Sequence, residues 1–318
     1  MNILFVTANR LGDAVLSSGL LAHLIERNPN ARITIACGPV AAPLFAATPN
    51  VECVIALAKK PWAAHWFELW LRSTTTVWDI VVDLRSSALA WLLLARKRYV
   101  LHNGNDVVHR TEMYSNLFGL RDPAMPRLFA ADAHRARAAE LIPESDTVLA
   151  IGPTANWGGK QWPAASFSQL VERLTRSGAR FDGADVAILG SARERPAAEP
   201  VIRDVAEGRR IDLVGTEELL TLYACLERCA LYIGNDSGLM HLAAASGAPT
   251  LGLFGPSREI HYAPRGRNAA HVRTPETYEE LVSATDYDYR DQTSRMTSLT
   301  VDAVEQAALD LMSSTGTQ

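Results

Sequence analysis

The sequence predicts an α/β protein of two doubly wound domains, each a parallel sheet covered by helices. Three observations carry this. Apolar strand-like runs alternate with helical patterns in the first half, the mark of βαβ units. The pattern breaks at the polar stretch 143–146 and then restarts. At 318 residues the chain exceeds one typical small domain and suits two of similar size.

The first domain, 1–146, opens with the strand 2–7, NILFVT, and an amphipathic helix at 14–27. Strands follow at 32–37, 51–57 and 79–84, then an apolar helix at 88–95. Trp62, Trp66 and Trp70 recur every four residues, so one face of a helix there is aromatic. Core packing and contact with a lipid surface both fit such a face. Arg96-Lys97-Arg98 reads as a solvated loop or as a contact for an acidic acceptor. The second domain, 147–300, has strands at 148–151, 185–189, 211–214, 231–233 and 250–254. Its helices fall at 166–176, 217–229 and 238–245. The tail 301–318 carries a last helix that can cross back to the first domain. The simplest arrangement has the two domains facing each other across a cleft.

A hydrophobic share of 48% and a charged share of 21% are those of a soluble globular protein. No apolar run approaches the roughly 18 residues that span a bilayer, and the start lacks the pattern of a signal peptide. A cytoplasmic location is therefore expected. The net charge of −4 argues against nucleic-acid binding. Residues 1–146 hold 15 Lys+Arg and 13 Asp+Glu, and the remainder hold 16 and 22. The mildly basic first half tolerates an anionic partner. Cys37, Cys53, Cys225 and Cys229 lack zinc-ligand spacing and read as free thiols. No metal or cofactor is expected.

Four loops carry chemistry. The first, ANRLGD at 8–13, would need G-x-G-x-x-G to bind a dinucleotide, and only Gly12 is present. That weakens a nicotinamide-dependent oxidoreductase. Asp13 remains at a helix start, either as a cap or as a general base kept ionised there. The second, GPTANWGGKQWP at 152–163, offers the Thr154 hydroxyl and Lys160, whose compact ammonium suits phosphate; a solvated lysine is the alternative. In the third, GSARE at 190–194, Glu194 is a ribose acceptor or an exposed loop acid. The fourth, GNDSGLMHLAAASGAPTLGLFGPS at 234–257, reads as a strand end, a polar turn, a helix and a buried strand. Its helix start offers free N–H groups and partial positive charge to an anion. Gly238 leaves space there, and His241 lies one turn beyond Ser237. Asp236 is a ligand-site residue or a plain helix cap.

The opening loop and helix, the stretches 152–174 and 233–257, and HRTEMYSNLFG at 109–119 together resemble the ADP-heptose:lipopolysaccharide heptosyltransferases, glycosyltransferase family 9. The resemblance covers nearly the whole chain. It implies a GT-B fold of two Rossmann-like domains and an inverting, metal-independent glycosyl transfer. Asp13 corresponds to the family's base, and Lys160 to its phosphate-binding lysine. The donor set becomes Gly12, Thr154, Lys160, Glu194, Asp236, Ser237, Gly238 and His241. The implied donor is ADP-heptose. The implied acceptor is an anionic glycolipid, the lipopolysaccharide core, met at the cytoplasmic face of the inner membrane. Transfer to a protein or O-chain, or an inactive nucleotide-sugar-binding homologue, are the alternatives. Two departures stand out. Ser237 replaces the usual threonine and keeps the hydroxyl, and DYDYRDQTSR at 286–295 lacks the Cys-rich insertion of some members.

Overall fold

The computed structural model describes residues 1–102, 107–144, 147–283, 288 and 290–315. The chain divides into two compact units, residues 1–131 and residues from 132 onward.

In the first unit, β1 (Asn2–Val6) is central and buried, which is why its sequence is continuously apolar rather than alternating. Helix α1 (Leu11–Arg27) follows, then β2 (Arg32–Cys37), β3 (Val51–Ala56), α2 (Ala64–Ser73), β4 (Trp78–Asp83), α3 (Leu89–Leu92), β5 (Ala95–Val100) and α4 (Arg110–Asn116). The five strands are parallel, in the order β3-β2-β1-β4-β5. One expected element changes. The apolar run 88–95 is helical only over Leu89–Leu92, and the basic triplet after it lies in β5, paired with β4. The Arg98 guanidinium explains the corner. It donates to the carbonyls of Ala90, Ala95 and Leu93 at 2.7, 2.9 and 2.7 Å, ending the helix and turning the chain into the strand.

The second unit begins with α5 (Asp132–Leu141), ahead of β6 (Val148–Gly152). There follow α6 (Ala164–Thr175), β7 (Asp185–Gly190), α7 (Arg195–Asp204), β8 (Arg210–Val214), α8 (Leu219–Leu226), β9 (Leu231–Asn235), α9 (Gly238–Ser246), β10 (Thr250–Phe254), α10 (Glu259–Tyr262), β11 (Ala269–Arg273), α11 (Tyr278–Val282) and α12 (Val301–Thr315). Six parallel strands run β11-β10-β9-β6-β7-β8. The edge strand β11 has no sequence signature because AAHVR is only half-buried.

The division between units precedes the polar break at 143–146, of which residues 145 and 146 lie outside the described residues. Helix α5 packs on α8, and Arg135 and Arg137 pair with Glu227 and Glu217 at 3.3 and 2.7 Å. Helix α12 belongs to the second unit's core through Val304, Ala308 and Leu311. Arg173 of α6 pairs with its Asp302 and Glu305 at 2.5 and 3.1 Å.

In each sheet the strand order reverses beside the first strand, between β1 and β4 and between β6 and β9. Loops leaving the carboxyl ends of those strands meet at such switch points, where α/β sheets bind ligands. Among the described residues no helix is long and apolar enough to cross a membrane. All four cysteines are free, and burial pushes the Cys37 and Cys225 thiols up to about 12.

Candidate active site

In the second unit the loops after β6 and β9 converge. Gly152 and Gly234 face each other in register at the ends of these strands. Both are glycine because the Tyr232 side chain occupies their side-chain space. A Cβ at Gly152 would stand 2.0 Å from the Tyr232 hydroxyl oxygen, and one at Gly234 2.4 Å from it. The phenol thus lies fully buried and ends beside Ser237. Burial, with the Glu194 charge added, raises the hydroxyl well above its ordinary value, and the Ser237 side chain opposes this.

Asn235 follows and is fully buried. Its Oδ1 accepts from the backbone N–H of Trp162 at 2.9 Å, and its Nδ2 donates to the Pro153 carbonyl at 2.9 Å. One amide therefore clamps both ends of the lysine loop onto β9. The far side of that loop is held by the 291–295 segment. Trp157 Nε1 donates to the Asp291 carbonyl at 2.8 Å, Gly158 N–H to Gln292 Oε1 at 2.8 Å, and Ser294 Oγ to the Gln161 carbonyl at 2.5 Å. Asp286, Tyr287 and Tyr289 of the same stretch lie outside the described residues.

So held, Lys160 places its ammonium 2.5 Å from Asp236 Oδ2. Asp236 is not the helix cap: the cap position is Ser237, and the Asp236 side chain is 6% exposed against 25% for Lys160. Ser237 makes no side-chain cap bond, and its Oγ is a buried atom without a hydrogen-bond partner among the described residues. The same holds for the Tyr232 hydroxyl and for His241 Nδ1. The Tyr232 and Ser237 hydroxyls lie close enough to act on each other, and with His241 Nδ1 they form a buried polar group at one helix start. Burial lowers His241 to about 4, with Lys160 adding to the fall and Asp236 opposing it, so the imidazole is neutral at pH 7. Gly238 opens α9, whose first N–H groups point out of the same turn.

Thr154 is buried in the lysine loop. Glu194 follows β7, and its Oε2 accepts from the Ser191 N–H and hydroxyl at 3.0 and 2.7 Å in a capping box. The expected loop acid is thus a local helix cap, with its charge close enough to act on Tyr232.

In the first unit, α1 starts at Leu11, earlier than expected, and takes in Gly12 and Asp13. The cap position is Arg10, so Asp13 is a half-buried carboxylate in the first turn rather than the cap. The helix dipole favours its ionised form there. Sequence reasoning missed the neighbouring polar set. Asp83, fully buried at the end of β4, accepts from the backbone N–H groups of Arg85 and Ser87 at 2.8 and 2.9 Å. Arg85 then donates to Asn9 Oδ1 at 3.0 Å and stacks 4.6 Å over the Trp66 ring. The loops after β1 and β4 are thereby tied, with a fixed cation beside the loop that leads to Asp13. The signal lay in the polar run Asp83-Leu84-Arg85-Ser86-Ser87 after an apolar strand.

Among the described residues no group of three or more His, Cys, Asp or Glu side chains is placed to hold a metal. The available chemistry is a recessed anion site of ammonium, hydroxyls and helix N–H groups on one unit, and a carboxylate with a nearby guanidinium on the other.

The chain is similar to known proteins over most of its length. The family model described as glycosyltransferase family 9 (heptosyltransferase) matches residues 64–288, a span that includes Lys160, Glu194 and the 236–241 turn. The lipooligosaccharide heptosyltransferase 2 of Haemophilus influenzae is 26% identical over 314 residues, covering 86% of this chain and 88% of that protein. Among solved structures, Escherichia coli ADP-heptose LPS heptosyltransferase II aligns with a TM-score of 0.78 at 19% identity, over 99% of this chain and 100% of that one. An E. coli heptosyltransferase solved with ADP-2-deoxy-2-fluoro heptose aligns with a TM-score of 0.68 at 18% identity, over 98% and 99%.

Proposed function

The chain belongs to glycosyltransferase family 9, and on that footing we propose that it transfers a heptosyl group from ADP-heptose to a lipopolysaccharide core acceptor, with inversion and without a metal. The observation that carries the donor half is the Lys160–Asp236 pair beside the buried Ser237 hydroxyl and His241 Nδ1 at the start of α9.

The diphosphate lies against that helix start. Its charge is met by the Lys160 ammonium, the Thr154 and Ser237 hydroxyls and the α9 N–H groups, and Gly238 lets the phosphate approach. Asp236 holds the ammonium in place and balances its charge. Neutral His241 can donate or accept a hydrogen bond without adding charge. These groups stabilise the negative charge that grows on the departing diphosphate, the role a divalent cation fills elsewhere. Gly12 belongs to the donor set through its place in the first loop, and Glu194 through the ribose.

On the first unit Asp13 takes the proton from the acceptor hydroxyl. That oxygen attacks the anomeric carbon from the face opposite the diphosphate. The new C–O bond forms as the bond to phosphate oxygen breaks, and the electron pair leaves with ADP. Arg85 meets an anionic group of the acceptor glycolipid, whose nature brings the enzyme to the inner membrane's cytoplasmic face. The test is turnover with ADP-heptose and a UDP-sugar, each with a deacylated core acceptor. Transfer from ADP-heptose alone, giving the inverted anomer, supports the reading; transfer only from the UDP-sugar overturns the donor assignment.

A further inference from the structure

Beside the Arg85–Trp66 stack, exposed apolar side chains occur in and next to α2 and α3 on the described surface of the first unit. Trp62 is 100% exposed, and Phe67, Trp91, Leu92 and Leu94 are each more than 60% exposed. Trp66, Phe67 and Trp70 of α2 and Leu89 and Leu92 of α3 line a groove of about 490 Å³. Trp70 Nε1 donates to the Leu92 carbonyl at 3.3 Å, which joins the two helices into one face. Trp66 and Trp70 lean on the core while Trp62 does not, so the expected aromatic face is divided between the two roles.

Two backbone features hold this face open. Trp62 and Ala63 both sit in the left-handed region, at φ 54° and 57°, which disfavours a bulky residue and turns the Trp62 ring outward. Arg98 spends its guanidinium on three carbonyls of the α3–β5 corner, fixing Trp91, Leu92 and Leu94 in the open.

The charge around the groove identifies what covers it. Lys59, Lys60, Arg72 and Arg96 are exposed on these segments, with Lys60 and Arg96 paired to Glu68 and Asp79, in a chain whose net charge is −4. Lys59 and Lys60 are exposed just ahead of α2, whereas Lys97 pairs with Ile80 and projects from the sheet face opposite α2 and α3. Tryptophan and leucine amid lysine and arginine is the composition of a surface that lies in an anionic lipid interface. We propose that this α2–α3 face docks the protein on an anionic bilayer, inserting Trp62, Phe67 and Trp91 below the headgroups. The proposal deepens the glycolipid reading by naming the surface, and its test does not use the transfer reaction.

The test is co-sedimentation of the full chain with phosphatidylglycerol–phosphatidylethanolamine vesicles and with phosphatidylcholine vesicles. The expected result is binding at least tenfold tighter to the anionic vesicles, weakened by high salt. Trp62→Ala/Trp91→Ala should lower it about tenfold, and Lys59→Glu/Lys60→Glu should abolish the anionic preference. These side chains are exposed, and circular dichroism checks that the variants fold. Equal binding to both vesicle types, unchanged binding of both variants, or a dimer dissolved by Trp62→Ala with no vesicle binding would each overturn the proposal. Vesicle binding without heptosyl transfer would instead sink the functional reading and leave this one standing.

Discussion

Lys160 Nζ lies 2.5 Å from Asp236 Oδ2, joining the loop after β6 to the turn after β9. The pair sits largely out of solvent at the sheet's switch point, and it sets both the charge and the shape of the anion site. Breaking a buried pair from one side strands the other charge, at a cost of about 3–5 kcal/mol, whereas replacing both partners is often neutral. Lys160 keeps a quarter of its side chain exposed, so the low end applies. Lys160→Met should therefore destabilise the protein by about 3 kcal/mol in urea unfolding. Lys160→Met/Asp236→Asn should regain most of that loss. A double variant less stable than the single one would contradict the pairing.

Asp13→Asn preserves shape and removes the carboxylate proposed as the base. Turnover should fall by about 10² to 10⁴, with ADP affinity near wild type. Kinetics and calorimetry on the same preparation separate the two, and near-normal turnover would remove Asp13 from the mechanism.

Stability should fall on the acid side because of His241. Its folded value, about 4, lies below the roughly 6.5 of an unfolded histidine. Between these values the unfolded chain binds more protons than the folded one, so stability drops as pH falls from 6.5 to 4. This one group accounts for up to about 3 kcal/mol. His241→Gln should show a correspondingly smaller loss between pH 7 and pH 4.5 in denaturant titrations. An identical loss in both proteins would show that His241 is not held neutral.

The Tyr232 phenol fills the space of two glycines, so Gly152→Ala should cost about 1–3 kcal/mol through overpacking. Adding Tyr232→Phe removes the nearest atom and should restore part of this. Wild-type stability in Gly152→Ala would mean the ring has room to move.

The two-sheet fold was legible because strands buried on both faces leave continuous apolar runs, as in NILFV and TLGLF. The polar turn at 236–238 was legible because glycine, hydroxyl and acid follow such a strand at once. What escaped was set by tertiary contacts. Strand β5 looks like a basic loop until Arg98 is seen spending its charge on carbonyls. Helix α5 precedes the polar break, yet ion pairs with Glu217 and Glu227 fix it to the second unit. Asn235 gives no sign in the sequence that it clamps a loop about eighty residues away. Local pattern leaves Asp13 open between cap and base and Asp236 between cap and ligand-site residue, and the geometry gives the cap positions to Arg10 and Ser237.

The central claim is that the start of α9 and Lys160 hold a nucleoside diphosphate. Calorimetric titration of ADP into the wild type and into Lys160→Met/Asp236→Asn, with adenosine as control, tests it most directly. A charge-assisted hydrogen bond contributes about 1.5–3 kcal/mol, so ADP affinity should fall at least tenfold in the variant while adenosine affinity stays the same. Equal ADP affinity in two equally stable proteins would contradict the account.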